Sequence, residues 1–247
     1  MTKRYLKRWP RCERGRRNNS DDAPMSLPAA VIFDNDGLTL DSEELWTQSE
    51  QKLFAAHGIE FNDEHKIALL GNSGPHAATI LARELGRPDE EGPALVEEMN
   101  RLVYVALESG CEPMPGAVAL LTALADAGVP VALCSNSPRP FVDRAIAAAE
   151  VEHFFGTIVT AEDVPHGKPA PDPYLEAARR LGVDAAGCVA LEDSPPGAAS
   201  AAAAGMTVYV IPSFADADFA GAEDQVFSSL GDPALLAAIG LATIQPE

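Results

Sequence analysis

The hydrophobic pattern of the chain changes once, near residue 110. It opens on a solid apolar run, Val31-Ile32-Phe33, which predicts a short buried strand. From there to residue 109 the apolar positions follow the helical period. Leu45, Trp46, Leu53 and Phe54 recur about seven or eight residues apart and predict a helix closed by Gly58. A short helix is predicted over about 63–70, ending at Gly71, and another over about 75–85, with Pro75 at its start and Gly86 after it. A longer one is predicted over about 90–109, where Leu95, Met99, Leu102, Val103, Ala106 and Leu107 share one face. Residues 43–109 therefore read as four helices without a strand, a separate helical lobe inserted after the first strand. Pro113 and Pro115 stiffen the return. Helices are then predicted over 117–127, 138–149, 172–181 and 195–204, alternating with strands over 129–134, 157–160, 187–191 and 207–211. A last helix is predicted over about 232–239. Strands alternating with helices specify an α/β fold whose parallel sheet is covered on both faces. The expected organisation is an α/β core of 25–42 and 110–247 with 43–109 inserted as an all-helical domain.

Composition adds a charge asymmetry. The 247 residues fit one or two domains, and 47% hydrophobic content is ordinary for a globular chain. Residues 1–24 carry eight bases and three acids, a net of +5, which leaves −24 for the rest of a chain whose total is −19. The Arg-rich segment lacks apolar periodicity and is expected to be a disordered extension; a nucleic-acid arm or a transit peptide is the functional alternative. A body this acidic repels nucleic acid and anionic membranes. An anionic substrate needs a local positive site or a cation. Cys12, Cys111, Cys134 and Cys188 form no Cys-x-x-Cys pair, which excludes a metal knuckle and indicates a reducing compartment. No apolar signal core follows the basic start. The most apolar window, 117–134, is broken by Asp126, Gly128 and Pro130 and is not a membrane span. A cytoplasmic location is expected.

The candidate chemistry lies at strand ends. The first strand stops at Asp34-Asn35-Asp36-Gly37, two carboxylates one residue apart that face the same side in extended backbone. The same signature opens a calcium loop, but position twelve would be Leu45 where that loop needs glutamate. Ser135-Asn136-Ser137-Pro138 follows the second strand. Pro138 suits the first turn of a helix and Ser137 its N-cap, which places Ser135 and backbone N–H groups at a helix N-terminus. Gly167-Lys168-Pro169 traps a lysine in a stiff loop, in a body with only ten bases. Glu192-Asp193 ends another buried strand, with Ser194 or Asp193 suited to capping. The five histidines show no metal-ligand spacing.

Taken together, Asp34-Asn35-Asp36-Gly37, Ser135, Lys168 and Glu192-Asp193 resemble the four motifs of the haloacid dehalogenase superfamily of phosphotransferases over roughly residues 29–211. The chain is most similar to its β-phosphoglucomutase-like and sugar-phosphate phosphatase branch. Asp41-Ser42-Glu43-Glu44-Leu45-Trp46 looks like the phosphatase members. The resemblance implies a Rossmann-like core with a helical cap and a Mg²⁺-dependent phosphatase of a small phosphorylated metabolite, acting as a monomer. Asp34 would be the nucleophile and Asp36 the acid and base. Ser135 and the Asn136 backbone N–H would bind phosphate, and Lys168 would neutralise charge. Asp34, the Asp36 backbone carbonyl and Asp193, with or without Glu192, would hold Mg²⁺. Gly71-Asn72-Ser73-Gly74 resembles the substrate loop, so Gly71, Ser73 and the following His76 are expected at the substrate. A phosphomutase is the alternative, but β-phosphoglucomutase carries arginine where Gly74 falls and histidine where Trp46 falls. Dehalogenase chemistry has no need of Asp36 or of Mg²⁺. Asn35 replaces the usual apolar residue between the aspartates, where backbone is the expected contribution.

Overall fold

The computed structural model of the chain describes residues 27–69, 74–213, 217–219 and 226–241. The extension read at 1–24 and the loop residues Gly71, Asn72 and Ser73 lie outside these. Five strands form one sheet: β1 (Ala30–Asp34), β2 (Val131–Ser135), β3 (Thr157–Thr160), β4 (Cys188–Glu192) and β5 (Thr207–Val210). Four helices fall between β1 and β2 before a fifth returns the chain to the sheet: α1 (Glu43–Ala56), α2 (Asp63–Leu69), α3 (Gly74–Glu84), α4 (Gly92–Leu107) and α5 (Ala117–Asp126). Four more alternate with or follow the later strands: α6 (Arg139–Ala148), α7 (Asp172–Leu181), α8 (Pro195–Ala203) and α9 (Pro233–Ile239).

Neighbouring strands are all parallel, in the order β3-β2-β1-β4-β5. This is the expected Rossmann-like α/β architecture. The solid apolar runs became the three central strands because every residue of β1, β2 and β4 is buried. The chain builds outward from β1 through β2 to β3, then crosses back to lay β4 and β5 on the other side. Open parallel sheets bind ligands at such a reversal, outside the carboxyl ends of the strands. Register sets what meets there. Asp34 pairs with Cys134 and Phe33 with Leu191, so Glu192 is level with Asp34 and Ser135 lies one residue beyond.

Alternation along the strands divides the core in two. Val31, Phe33, Leu133 and Leu191 pack with Leu120 and Leu124 of α5, Phe141 of α6 and Leu235 of α9. Ala30, Ile32, Ala132 and Ala190 pack with Tyr174 and Ala177 of α7 and Ala198 and Ala201 of α8. Phe33 and Ile32 are fully buried, worth ~2–3 kcal/mol each in transfer from water. Alanines facing alanines leave room for α7 and α8 to lie close to the sheet, which fixes the loops before them tightly against its edge. In the helical segment α4 packs on α1 and α3 through Leu53, Leu81, Leu95, Met99 and Val103.

Two boundaries differ from the sequence reading for physical reasons. The strand predicted from 129 begins at Val131, because Pro130 has no N–H and contributes only its carbonyl, which accepts from the Val31 N–H at 3.0 Å. The helix predicted from 90 begins at Gly92 after a single 3₁₀ turn, Asp89–Glu91, with proline in its first turn.

Candidate active site

Asp34 is the last residue of β1. Lys168 reaches it from the loop before α7. The Lys168 Nζ donates to Asp34 Oδ1, to the Cys134 carbonyl at 3.0 Å and to Glu192 Oε1 at 2.7 Å. Asn136 clamps that loop: its amide donates to the Lys168 carbonyl at 3.0 Å, and its Oδ1 accepts the Lys168 N–H at 2.9 Å. The peptide between Lys168 and Pro169 is cis. Sequence reading missed this clamp because only the fold brings the two loops together. It also missed Tyr174, fully buried in the first turns of α7, whose hydroxyl donates to Glu192 Oε1. Glu192 Oε2 accepts from the Asp193 N–H at 3.2 Å and the Ser194 hydroxyl at 3.3 Å. Ser194 also caps α8 as predicted, accepting from the Gly197 N–H at 3.3 Å. A Cβ on Gly197 would overlap the Glu192 carboxylate, so the first turn of α8 admits only glycine there.

Three buried carboxylates meet at this edge. Asp34, Glu192 and Asp193 each offer an oxygen within 4.8 Å of the others. The Lys168 ammonium is in contact with Asp34 and Glu192 but balances only one of the three charges. Burial pushes the Asp34 carboxyl up to about 8; Lys168 pulls it back, and the Glu192 and Asp36 charges add to the rise. Burial, with Asp34 and Glu192 nearby, also raises Asp193 well above the carboxylate range. For Lys168 burial disfavours the ammonium, but Asp34 and Glu192 outweigh it and the pKa is raised. Packed carboxyl oxygens with an excess of buried negative charge fit a hard divalent cation such as Mg²⁺. Asp34 and Asp193 are best placed to hold it, since both oxygens of Glu192 already accept hydrogen bonds.

Asp36 sits at the turn, outside that trio. Its Oδ1 accepts from the Ser42 hydroxyl at 2.6 Å and from Trp46 Nε1 at 3.1 Å. Its Oδ2 accepts from the Ser135 and Ser137 hydroxyls at 3.1 and 2.7 Å. The N-cap expected of Ser137 is not made. Pro138 is the residue that caps α6, and the Ser137 hydroxyl turns to Asp36 instead. The Ser137 N–H donates to Ser135 Oγ at 2.9 Å. The Asp36 carboxylate accepts all four of these hydrogen bonds, and its backbone carbonyl is the group left to a cation. Gly37 turns the chain here with φ of 78°, and a Cβ on it would lie 2.5 Å from Asp193 Oδ2.

A cavity of about 750 Å³ opens over these groups. Asp34, Asp36, Lys168 and Asp193 form its floor, and Trp46, Lys66 and Met99 belong to its helical wall. His76, on α3, also lines it and is exposed. Gly71 and Ser73, expected at the substrate, lie outside the described residues.

Residues 28–205 match the haloacid dehalogenase-like hydrolase family. The chain belongs to this family. It is accordingly an enzyme, a hydrolase. The chain is 33% identical over 211 residues to the bifunctional riboflavin kinase/FMN phosphatase of Arabidopsis thaliana, covering 83% of its own length. It spans about half of that relative, 54%. It is 31% identical over 194 residues to hexitol phosphatase B of Escherichia coli K12, covering 76% of this chain and 86% of that one. The crystal structure of CbbY from Rhodobacter sphaeroides in complex with phosphate superposes with a TM-score of 0.72 at 27% identity, covering 83% of this chain and 95% of that one.

Proposed function

We propose that this hydrolase is a Mg²⁺-dependent phosphatase of a small phosphorylated metabolite that works through an aspartyl-phosphate on Asp34. The observation that carries the reading is the Asp34, Glu192 and Asp193 trio beside a buried Lys168 at the sheet edge. The phosphatase names of relatives that share most of this chain support it.

Asp34 Oδ1 is engaged by Lys168, which leaves Oδ2 as the attacking oxygen. A bond forms from Oδ2 to phosphorus as the bond from phosphorus to the alcohol oxygen breaks. Asp36, protonated for this step, gives its proton to the departing alkoxide. It then takes a proton from the water that attacks the aspartyl-phosphate, which releases phosphate and restores Asp34. Lys168 offsets charge on Asp34 and the phosphoryl oxygens, and the Ser135 hydroxyl, turning from Asp36, and the Asn136 N–H bind those oxygens. Mg²⁺, held by Asp34, Asp193 and the Asp36 carbonyl with Glu192 beside them, would supply the charge that lets a carboxylate approach a phosphate dianion. The helical segment 43–109 would act as a cap that excludes water, with His76 facing substrate. No described helix is long and apolar enough to cross a membrane, and free buried Cys111, Cys134 and Cys188 accord with a reducing cytoplasmic setting.

Asp34→Asn keeps the shape of the side chain and removes the nucleophile. The protein is expected to fold, and its Mg²⁺-dependent hydrolysis of p-nitrophenyl phosphate to fall by at least about a thousandfold. Activity near wild type would remove Asp34 from the role. With a sugar phosphate and a bisphosphate activator, release of phosphate without isomer formation separates hydrolysis from mutase chemistry.

A further inference from the structure

The mechanism leaves a cluster of charged groups on the helical wall of the cavity unused. Lys66, on α2, is buried, its side chain 10% exposed. Its Nζ lies 3.0 Å from Glu43 Oε2 and 3.0 Å from Glu50 Oε2, both on α1. The Glu50 side chain is 7% exposed and that of Glu43 24%. All three residues line the same cavity as Asp34, Asp36 and Lys168. Glu43 reaches down to the catalytic turn, its Cγ 3.2 Å from where a Cβ on Gly37 would stand. The triad therefore runs from beside the Asp36-Gly37 turn up the helical wall of the cavity. The rest of that wall is largely apolar, with Leu69, Ala77, Leu81, Val96 and Met99.

Two carboxylates share one ammonium, so the triad is net −1. Among the described residues Lys66 is the one lysine or arginine on the helical wall of the cavity, and its charge is already divided between Glu43 and Glu50. A second phosphate on the substrate would find that ammonium engaged and would meet an excess of negative charge in a partly dry cleft. Like charges placed together in a binding site oppose association. Hydroxyl groups meet the opposite situation, because carboxylate oxygens accept from them and the ammonium donates to them.

We propose that Glu43, Lys66 and Glu50 read the leaving group, accepting a polyhydroxylated alcohol that carries a single phosphate and rejecting one with a second anionic group. This rests on the phosphatase reading and adds to it the specificity residues and the charge class of the substrate. Rejection comes from unbalanced charge, which discriminates without any special contact to the preferred substrate.

Fructose 1-phosphate and fructose 1,6-bisphosphate differ by the distal phosphate alone and make the test. The enzyme with Mg²⁺ is expected to favour the monophosphate in kcat/KM by at least about tenfold. Glu50→Gln keeps size and hydrogen bonding and neutralises the triad; it is expected to narrow that ratio several-fold. If the triad only ties α1 to α2, Glu50→Gln shifts both substrates alike and the ratio stays, which overturns the proposal. Calorimetric binding of the same two compounds to the Asp34→Asn protein reads the preference without turnover. A binding preference with no hydrolysis by the wild type keeps the triad and removes the phosphatase reading. Equal binding removes the triad whatever the activity.

Discussion

Asn35 lies between the two aspartates with both of its amide atoms buried and without a hydrogen-bond partner among the described residues. Its backbone carbonyl accepts from the Thr39 and Leu40 N–H groups, each at 3.0 Å, and so shapes the turn that presents Asp36. The backbone is used and the side chain is not. An unsatisfied buried amide costs about 1–3 kcal/mol, and an apolar side chain of similar volume avoids that cost. Asn35→Leu is therefore expected to raise stability by ~1–3 kcal/mol, read by thermal unfolding, with phosphatase activity near wild type. Lost activity at unchanged fold would show that the amide serves the site. The alternation of an apolar strand breaking at Asp34, Asp36 and Gly37 was legible in the sequence, because strand spacing is local. The partners of Asp36 were not. Ser137 is 101 residues from it along the chain, and its local context, just before proline, reads as a helix cap.

At the scale of elements, the site is set by how helices start. α8 begins directly under Glu192, and the missing side chain of Gly197 is what lets the two meet. Alanine is the better helix former by about 1 kcal/mol, so propensity alone favours Gly197→Ala. The overlap decides otherwise. Moving either Glu192 or α8 costs ~1–3 kcal/mol or more and loosens the hydrogen bonds that Glu192 makes to Lys168 and Tyr174. Gly197→Ala is expected to lower the melting temperature and to cut kcat at least about tenfold, read by calorimetry and an aryl phosphate assay. Unchanged kcat would mean that Glu192 does not position Lys168. The ends of elements were readable where one residue type enforces them. Gly182 closes α7 in the left-handed region at φ of 73°, as its place after the helical run predicts. The helical segment was readable from its period. Lys66 was not: a lone lysine in a seven-residue helix looks solvated until α1 places Glu43 and Glu50 on either side of it.

The whole molecule concentrates negative charge and then buries three carboxylates at one point, on a chain of net charge −19. If the cation of the proposed mechanism binds at this point, protons compete with it. In the metal-free protein Asp34 is raised from its ordinary 3.8 to about 8, so between these values the folded state keeps a proton that the unfolded chain has lost. Folding takes up protons in this window, and the contribution of Asp34 to stability falls as pH rises from about 4 to about 8. Asp193, raised by burial and by Asp34 and Glu192, acts in the same direction. Binding of Mg²⁺ expels these protons and is favoured by raising the pH. The rise in melting temperature on adding Mg²⁺ is therefore expected to grow between pH 5 and pH 8. At about a hundredfold excess over Kd at pH 8 it should reach ~5–10 °C. Calorimetry with EDTA and with Mg²⁺ at both pH values checks this, and Asp193→Asn should remove most of the increment. A Mg²⁺ effect of equal size at both pH values would mean that the cation binds away from the buried carboxylates.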